Sequence, residues 1–280
     1  MTGTPPAAPA SSPHRVTLVR AGVATSGSDE LAAEEPLQIR AAGPGQRPRD
    51  VAVTLRTPGH EVELAVGFLH AEGLVAPDGV VDVTRGDLLD DARPDDTVTV
   101  HLRRPLDLAA VAARRTAATA ACGVCGKASI EQVRVRCAPV ADAGPVALST
   151  LLRLPDRLRA AQSVFDDTGG LHAAATACGE GIDVVHEDVG RHNALDAVVG
   201  AHLLAGRLPL SDRVVVLSGR IGFELVQKVA LAGAPVVVAV GAASDLAVRT
   251  ARELGVTLVG FVRGGDATIY TRPERVALDR

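Results

Sequence analysis

The sequence predicts an α/β protein in which a smaller N-terminal α+β region precedes a larger α/β domain. After residue 155, short Val-rich strands alternate with helices, a pattern typical of a parallel sheet covered by helices on both faces. The preceding half contains a β-turn-α unit and further strands. We expect residues 1–13 to form a disordered tail, 14–121 the N-terminal α+β region, 122–150 a cysteine-containing loop and connection, and 151–280 the α/β domain.

The overall composition excludes several classes of protein. The 280 residues are 47% hydrophobic and 22% charged, and no apolar run approaches the roughly 20 residues that span a bilayer. Only 2% are aromatic and the net charge is −4, so a nucleic-acid surface built from stacking rings and basic side chains is not expected. Four cysteines, only two of them close together, do not make a disulfide framework, and together with a start that shows no signal peptide they favour a reducing, cytoplasmic location.

The N-terminal region is predicted to contain strands and two helices separated by turns. The turn Thr57-Pro58-Gly59 ends one strand before a helix whose apolar residues recur at helical spacing. The Asp-rich stretch 86–96 indicates a solvated loop. In chain order, we expect strands at 15–20, 34–40, 51–56 and 97–103, and helices at 61–74 and 106–115.

The α/β domain is predicted to alternate helices and strands. The small-residue segment 172–178 has the composition of a helix, and Ser244 has a side chain suited to capping the N-terminus of the last helix. In chain order, we expect helices at 155–165, 172–178, 193–204, 223–231 and 246–254, and strands at 182–185, 214–217, 235–240 and 258–262.

Three loops that follow the predicted parallel strands carry glycine and polar side chains. They are Ser218-Gly219-Arg220, Gly241-Ala242-Ala243-Ser244 and Arg263-Gly264-Gly265-Asp266. Because the carboxyl ends of parallel strands meet at one edge, where ligands bind, we expect these loops to lie together. Backbone N–H groups, helix N-termini and two guanidinium groups would converge there, which favours an anionic ligand such as a phosphate or pyrophosphate. Ordinary turn chemistry is the alternative interpretation of each loop taken alone.

The stretch Cys122-Gly123-Val124-Cys125-Gly126-Lys127 is the strongest candidate for the chemistry, because two thiols can meet there on one loop. The glycines free the backbone, and Lys127 is a nearby cation that favours the thiolate. Such a pair is typical of half a zinc site, a redox dithiol or a nucleophilic thiol with a helper. Zinc would need Cys137, Cys178 or His172 as further ligands, but the sequence has no second Cys-x-x-Cys and no His-x-Glu at position 172. We expect Cys137 and Cys178 to be buried apolar residues.

Two further segments place a glycine turn and a histidine at a predicted helix entrance. The first is Thr168-Gly169-Gly170-Leu171-His172, and the second is the stretch 187–193. Acidic, basic, imidazole and amide side chains crowd into the second segment, which is more polar functionality than a capping turn needs. We expect it to form a wall of the ligand site that also fixes the cysteine loop. A structural salt-bridge turn is the alternative.

The chain carries seven short motifs in a definite order. They are Glu34-Glu35-Pro36-Leu37-Gln38-Ile39-Arg40, Leu64-Ala65-Val66-Gly67-Phe68-Leu69, Cys122-Gly123-Val124-Cys125-Gly126-Lys127, Thr168-Gly169-Gly170-Leu171-His172-Ala173-Ala174, Asp188-Val189-Gly190-Arg191-His192-Asn193-Ala194, Ser218-Gly219-Arg220 and Gly260-Phe261-Val262-Arg263-Gly264-Gly265. In this order they resemble the FdhD family, the sulfur-carrier accessory proteins of formate dehydrogenase. The resemblance runs from about residue 15 to residue 275. The chain departs from the family pattern at Ala197, Gly222, Ala243, Asp245 and Thr268, and Asp245 puts a negative charge beside the proposed anion edge.

The resemblance implies a sulfurtransferase that acts as a sulfur carrier. A cysteine desulfurase would load a sulfane sulfur onto Cys122 as a persulfide, with Cys125 assisting or resolving it and Lys127 favouring the anions. The sulfur would pass to the molybdenum of the bis(molybdopterin guanine dinucleotide) cofactor of formate dehydrogenase, for which a guanine nucleotide is a surrogate. The residues implied to bind that cofactor are Phe261, Val262, Arg263, Gly264, Gly265, Asp266, Ser218, Gly219, Arg220, His172, Arg191, His192 and Asn193.

The resemblance also carries expectations about fold and assembly. It implies a C-terminal domain similar to the three-layer cytidine deaminase fold, and a homodimer. We expect no resident metal and neither nucleic acid nor membrane as a partner. Two other functions stay open, a zinc-dependent deaminase-like hydrolase and a non-catalytic cofactor chaperone. Stoichiometric zinc would favour the hydrolase, and function without both thiols would favour the chaperone.

Overall fold

The computed structural model describes residues 9–86, 96–115 and 137–278. A four-stranded sheet lies in the N-terminal part of the chain and a six-stranded sheet in the C-terminal part. This mixed architecture of helices and sheets confirms the predicted α/β class in outline. The domain boundaries expected at residues 121 and 150, and the likeness to the cytidine deaminase fold, stay predictions.

The described chain opens with a hairpin of two ten-residue strands. β1 (Ser11–Arg20) and β2 (Val23–Ala32) are antiparallel and pair along their whole length. The strand predicted at 15–20 is confirmed, but the disordered tail predicted for 1–13 is wrong for residues 11–13. Those residues pair with the end of β2 through backbone groups, a partner that was not predicted because β2 is a mostly polar run without regular alternation.

The four-stranded sheet packs against a helix of the same region. Its elements and the following helix are β3 (Glu35–Ala42), β4 (Arg49–Arg56), α1 (Glu61–Ala71), β5 (Val80–Arg85), β6 (Thr97–Leu102) and α2 (Leu108–Arg115). The strand order is β4-β3-β6-β5, with β3 and β6 parallel and the outer pairs antiparallel. Leu37 and Val98 of the sheet share one core with Leu64 and Leu69 of α1. The predicted strands and helices of this region are confirmed, and β5 was not predicted.

The six-stranded sheet forms the centre of the C-terminal part. The elements are β7 (Val146–Ala147), α3 (Leu148–Ala160), α4 (Ser163–Thr168), β8 (His172–Cys178), β9 (Gly181–Asp188), α5 (Arg191–Leu204), β10 (Val214–Leu217), α6 (Phe223–Leu231), β11 (Val236–Ala239), α7 (Asp245–Glu253), β12 (Thr257–Arg263), β13 (Asp266–Ile269) and β14 (Val276–Ala277). The strand order is β13-β12-β11-β10-β8-β9. β10, β11 and β12 are parallel as predicted, whereas β8, β9 and β13 join antiparallel, so the sheet is mixed.

Helices cover both faces of this sheet, as the Val-rich strands predicted. On one face, Leu151, Leu154 and Leu158 of α3 pack against strand residues. On the other face, α5, α6 and α7 bury side chains such as Leu195 and Leu225. In the ranges that the structure describes, the helices are all too short or too polar to cross a membrane.

Two of the predicted helices are wrong in type or extent. The segment 172–178 is the strand β8, whose alternate Ala side chains face the two helical layers. Its Ala-rich composition favours a helix in isolation, but pairing with β9 and β10 overrides that propensity, and the small side chains let helices pack closely on both faces. The helix predicted at 155–165 begins at Leu148 instead and contains Pro155 in its interior rather than at its start.

A close crossing of α1 and α5 joins the two parts of the molecule. A Cβ atom on Gly67 would overlap the carbonyl oxygen of Asp196, and one on Gly200 would overlap that of Glu63, so only glycine allows this approach. Ala197 of α5 lies in the same core as the four-stranded sheet. Helix α5 therefore packs against both parts of the molecule.

Candidate functional site

One edge of the six-stranded sheet gathers the predicted loops. β10, β11 and β12 end there, and β8 begins there because it runs antiparallel to β10. The Ser218 N–H donates to the Ala173 carbonyl at 3.0 Å, and the Ala173 N–H donates to Ser218 Oγ at 2.8 Å. A Cβ on Gly219 would come within 3.3 Å of His172 Nδ1. The structure therefore brings His172 to the loop 218–220, through a strand rather than through the predicted helix.

Glycines let the backbones of the three loops stack at this edge. The Gly241 N–H donates to the Gly219 carbonyl at 3.2 Å, and the Phe261 N–H donates to the Gly241 carbonyl at 3.1 Å. A Cβ on Gly241 would lie 2.8 Å from the Gly219 oxygen, and one on Gly260 would lie 2.9 Å from the Gly241 oxygen. Both distances are shorter than carbon and oxygen atoms tolerate, so main chain lines this part of the edge. The predicted convergence is confirmed for the loops 218–220 and 241–244, and residues 260 and 261 of β12, which precede the third loop, lie beside them.

The first turn of α5 brings Arg191 and His192 to the same edge. Gly190 precedes the helix and has no side chain that could cap its first N–H groups. The Arg191 Nε atom is buried and has no hydrogen-bond partner among the residues that the structure describes. Burial and the nearby guanidinium groups of Arg191 and Arg220 lower the pKa of His172. Two arginines from different elements therefore lie close enough to His172 to affect its charge.

His192, the residue after Arg191 in α5, is buried. Its Nε2 atom lies 3.3 Å from a carboxylate oxygen of Glu224 on α6, and its Nδ1 atom is without a partner in the described part of the chain. Burial, followed by the positive charges of Lys228 and Arg191, lowers the pKa of His192 to about 3. The imidazole is therefore neutral at pH 7, so its contact with Glu224 is not an ion pair at that pH. The name edge cluster is used below for His172, Arg191, His192 and Arg220.

The helices at this edge differ at their N-termini. α6 follows Gly222, which again offers no side chain to cap the first turn. α7 follows Ser244, whose hydroxyl accepts a hydrogen bond from the Ala247 N–H at 3.2 Å, so the predicted N-cap is confirmed. Asp245 adds negative charge to that first turn. The first turn of α6 likewise carries the acidic Glu224, whereas that of α5 carries no acidic side chain. The groups that attract an anion are therefore concentrated at α5 and at Arg220, and the loop 241–244 contributes mainly backbone.

The segment 261–266 forms the hairpin between β12 and β13. Gly264 and Gly265 have φ of 58° and 88°, the left-handed values of a two-residue hairpin turn. Phe261 has φ of 54°, which is unfavourable for a bulky residue, and its side chain is 41% exposed. Val262 is buried in the core on the α3 face, so its predicted cofactor contact could be made only by its backbone. The exposed charged side chains of this hairpin are Arg263 and Asp266.

The amide nitrogen of Asn193 holds neighbouring segments together instead of facing a ligand. It donates to the Leu55 carbonyl at 2.8 Å and to Asp188 Oδ1 at 3.0 Å. Asp188 also accepts hydrogen bonds from the N–H groups of Thr57 and Gly190. The predicted cofactor contact of Asn193 is thus limited to its other groups. Sequence reasoning missed Thr57, because its contact with Asp188 joins residues 131 positions apart.

The predicted reactive residues Cys122, Cys125 and Lys127 lie outside the described residues. Cys137 is partly buried, and burial raises the pKa of its thiol. Cys178 is exposed at the end of β8, so the expectation of a buried residue there is wrong. Within the ranges that the structure describes, no three His, Cys, Asp or Glu side chains stand together as a metal site requires.

Comparisons with known proteins identify close relatives of the chain. The FdhD/NarQ family model matches residues 32–277. A Mycolicibacterium paratuberculosis protein named sulfur carrier protein FdhD is 48% identical over 274 residues, which cover 94% of this chain and 97% of the relative. A Streptomyces coelicolor protein of the same name is 45% identical over 274 residues and 95% of each chain.

A solved structure shares the fold. The crystal structure of a Desulfotalea psychrophila protein assigned as a formate dehydrogenase accessory protein superposes with a TM-score of 0.72 at 22% identity. The match covers 96% of this chain and 100% of that one. The family match spans most of the sequence and contains all seven motifs that carried the resemblance. The chain belongs to the FdhD/NarQ family.

Proposed function

We propose that this protein is a sulfur carrier that serves formate dehydrogenase. Membership of the FdhD/NarQ family supports the proposal, since curated relatives are named sulfur carrier proteins. The structural observation that carries it is the edge cluster, which places Arg191 and Arg220 around His172 at the N-termini of α5 and α6. A carrier that only stored sulfur would have no use for such an anion site, whereas one that delivers sulfur to a phosphorylated cofactor needs it.

The edge cluster suits a phosphate group. Two guanidinium groups supply charge and planar donors, and the first turn of α5, which has no side-chain cap and no acidic residue, supplies backbone N–H groups. The Arg191 Nε and His192 Nδ1 atoms are buried and have no hydrogen-bond partner among the described residues. We infer that the cluster holds a phosphate of the guanine dinucleotide in the bis(molybdopterin guanine dinucleotide) cofactor, whose molybdenum is the sulfur acceptor.

The hairpin 261–266 is proposed to contact another part of the same dinucleotide. Arg263 adds an exposed cation at the end of β12, and Gly264 and Gly265 allow the backbone to approach a ligand closely. The exposed ring of Phe261 offers a face on which a base can stack. The hairpin lies next to the stacked backbones of Gly219, Gly241 and Gly260, called the glycine stack below, since the Phe261 N–H donates a hydrogen bond to the Gly241 carbonyl.

The sulfur chemistry is proposed to occur on Cys122. Its thiolate would attack the outer sulfur of a persulfide on a cysteine desulfurase, so that a new S–S bond forms on Cys122 as the S–S bond of the donor breaks. The donor cysteine leaves as a thiolate, and the exchange therefore needs no oxidant. Lys127 would favour the thiolate and the persulfide anion, and Cys125 would assist or resolve the intermediate. In the delivery step, the S–S bond of the Cys122 persulfide would break and the outer sulfur would bond to the molybdenum of the client cofactor. Cys122 would leave as a thiolate, and the molybdenum would supply the two electrons that reduce the sulfur.

The cellular setting and assembly are also proposals. A persulfide carrier needs reduced thiols, which favours the cytoplasm. The family resemblance implies a homodimer, and light scattering of the purified protein would measure its mass in solution. A monomer at working concentration would remove the dimer from the proposal and leave the sulfur chemistry untouched.

Sulfur loading tests the carrier function directly. Incubation with a cysteine desulfurase and radiolabelled cysteine is expected to label the peptide that contains Cys122. Cys122→Ala should lose the label, whereas Cys178→Ala should keep it, because Cys178 is an exposed thiol that reports only non-specific loading. Loading of Cys122→Ala at the wild-type rate would contradict the proposal.

A non-catalytic cofactor chaperone is the competing function, and the edge cluster alone would suit it equally well. In cells that lack the wild-type protein, a Cys122→Ala/Cys125→Ala variant should fail to restore formate dehydrogenase activity. The same variant should still bind GDP, because neither thiol belongs to the edge cluster. Full restoration of formate dehydrogenase activity by the double variant would favour the chaperone.

A further inference from the structure

A set of hydrogen bonds connects the N-terminal region to the first turn of α5. Asp188, at the end of β9, is 5% exposed, and its carboxylate accepts hydrogen bonds from Thr57 N–H at 3.0 Å, Gly190 N–H at 2.7 Å and Asn193 Nδ2 at 3.0 Å. In return, Thr57 Oγ1 accepts a hydrogen bond from the Val189 N–H at 3.2 Å. Thr57, Asp188 and Asn193 are called the clasp below.

The clasp brackets the two residues of α5 that belong to the edge cluster. Gly190 immediately precedes Arg191 and His192, and Asn193 immediately follows them. A Cβ on Gly190 would lie 3.2 Å from Asn193 Nδ2 and 3.3 Å from Asp188 Oδ1, so the turn has little spare room. The first turn of α5 is therefore held by contacts that reach into the N-terminal region.

A purely stabilising role accounts poorly for this arrangement. Burial raises the pKa of Asp188 to about 7, although the hydrogen bonds from Gly190, Thr57 and Asn193 oppose that rise. Placing this carboxyl in the interior therefore costs free energy. The α1–α5 crossing already joins the two parts of the molecule through close helix packing. A buried carboxyl that costs free energy is better explained if it fixes the position of the first turn of α5.

We propose that Asp188, Thr57 and Asn193 are positioning residues, which hold Arg191 and His192 toward the anion edge and make ligand affinity depend on the N-terminal region. This proposal depends on the proposed function in one respect, namely that the edge cluster is the anion site. The clasp itself touches no ligand and acts through Arg191 and His192.

Nearly isosteric variants test the clasp. Asp188→Asn turns one acceptor into a donor that faces another N–H group, and Thr57→Val removes the hydroxyl without a change of charge. Glu187→Gln is the matched control, because this carboxylate on the same strand instead caps α4 through the N–H groups of Val164 and Phe165. By calorimetry, GDP affinity should fall about tenfold in Asp188→Asn, about fivefold in Thr57→Val and less than about twofold in the control.

The pKa of His172 separates positioning from a general loss of stability, and it is measurable without ligand by NMR titration of the histidine side chains. Arg191 helps to hold this pKa down, so displacement of Arg191 should raise the pKa of His172 toward its ordinary value. The rise should occur in Thr57→Val, which has the wild-type charge, and not in Glu187→Gln. Thr57→Val carries the test should Asp188→Asn fail to fold.

The proposal requires both changes in Thr57→Val, weaker GDP binding and a raised His172 pKa. If wild-type protein binds GDP, the absence of either change overturns the clasp as a positioning device. If wild-type protein does not bind GDP, the proposed cofactor site is contradicted, and the pKa of His172 in Thr57→Val alone tests the clasp. A raised pKa would support the clasp as a positioning device, and an unchanged pKa would overturn it.

Discussion

The edge cluster and the hairpin 261–266 stand on one sheet edge but are held in different ways. His192 is 7% exposed and the Arg191 Nε atom is buried, whereas Phe261 is 41% exposed and Arg263 lies at the surface. Donors that are already fixed lose little conformational freedom on binding, and charge-assisted hydrogen bonds are stronger away from bulk water. We infer that the cluster supplies most of the affinity for the anion and the hairpin supplies adjustable contacts.

The backbone shows the same contrast. The clasp secures the first turn of α5 with hydrogen bonds to a buried carboxylate. Phe261 in the hairpin instead adopts a φ of 54°, and strain of this kind is found where the surrounding structure imposes it. Replacements at the edge cluster should therefore have larger effects on binding than replacements in the hairpin.

Replacement of one arginine from each region gives the widest separation. Arg191→Met removes a partly buried charge-assisted donor, so the free energy of GDP binding should weaken by about 2 kcal/mol, roughly 30-fold in affinity. Arg263→Met removes an exposed charge and should cost less than about 0.5 kcal/mol. Isothermal titration calorimetry measures both, with Arg252→Met, at an exposed position in the last turn of α7, as the control. Equal losses at Arg191 and Arg263 would contradict the distinction between the regions.

The glycine stack should be more sensitive to added atoms than the N-terminus of α6. Gly241→Ala brings a Cβ within 2.8 Å of the Gly219 carbonyl oxygen, so the free energy of unfolding should fall by about 1–3 kcal/mol. Gly222→Ala should change it by less than about 0.5 kcal/mol, since the described residues leave open space around the new Cβ and φ is −91°. Urea denaturation compares the two. Wild-type stability of Gly241→Ala would show that the loop backbones can separate without cost.

Buried His192 should make the stability of the protein sensitive to acid. Its pKa is about 3 in the folded protein and about 6.5 in an unfolded chain. Between these values the unfolded chain binds a proton that the folded protein does not, so the free energy of unfolding falls as the pH drops from about 6.5 toward 3. His192→Gln should therefore lose less stability than wild type between pH 6.5 and 4. Parallel curves for His192→Gln and wild type would contradict a buried neutral imidazole.

Relief of the strain in the hairpin should have the smallest effect. Asn adopts positive φ more readily than Phe, so Phe261→Asn should raise the free energy of unfolding by up to about 1 kcal/mol. Chemical denaturation measures the change, with Phe165→Asn as a comparison at a residue outside the positive-φ region. A destabilised Phe261→Asn would mean that the ring contributes more packing than its exposure indicates.

Much of the C-terminal fold and its ligand edge could be predicted from the sequence. The strands β10, β11 and β12 are short, Val-rich and largely apolar, and the loops after parallel strands must share an edge. The arginines and glycines of those loops were therefore identifiable without a structure. The Ser244 cap could also be predicted, because it depends on residues only three positions apart.

Other features depend on long-range contacts that local sequence does not show. The run His172-Ala173-Ala174-Ala175 has helical composition and becomes a strand only through its pairing with β9 and β10. The Thr57–Asp188 hydrogen bond likewise joins distant segments, so neither the clasp nor the changed role of Asn193 could be predicted from spacing. Strand β8 is also what places His172 beside Gly219.

A titration of GDP followed through the side-chain NMR signals of His172 and His192 tests the central claim most directly. A phosphate beside Arg191 and Arg220 would offset their positive charge, so the pKa of His172 should rise as GDP binds. Both histidine signals should shift with a single affinity. Unchanged signals and an unchanged His172 pKa, at a GDP concentration that saturates binding in calorimetry, would contradict the claim that the edge cluster is the anion site.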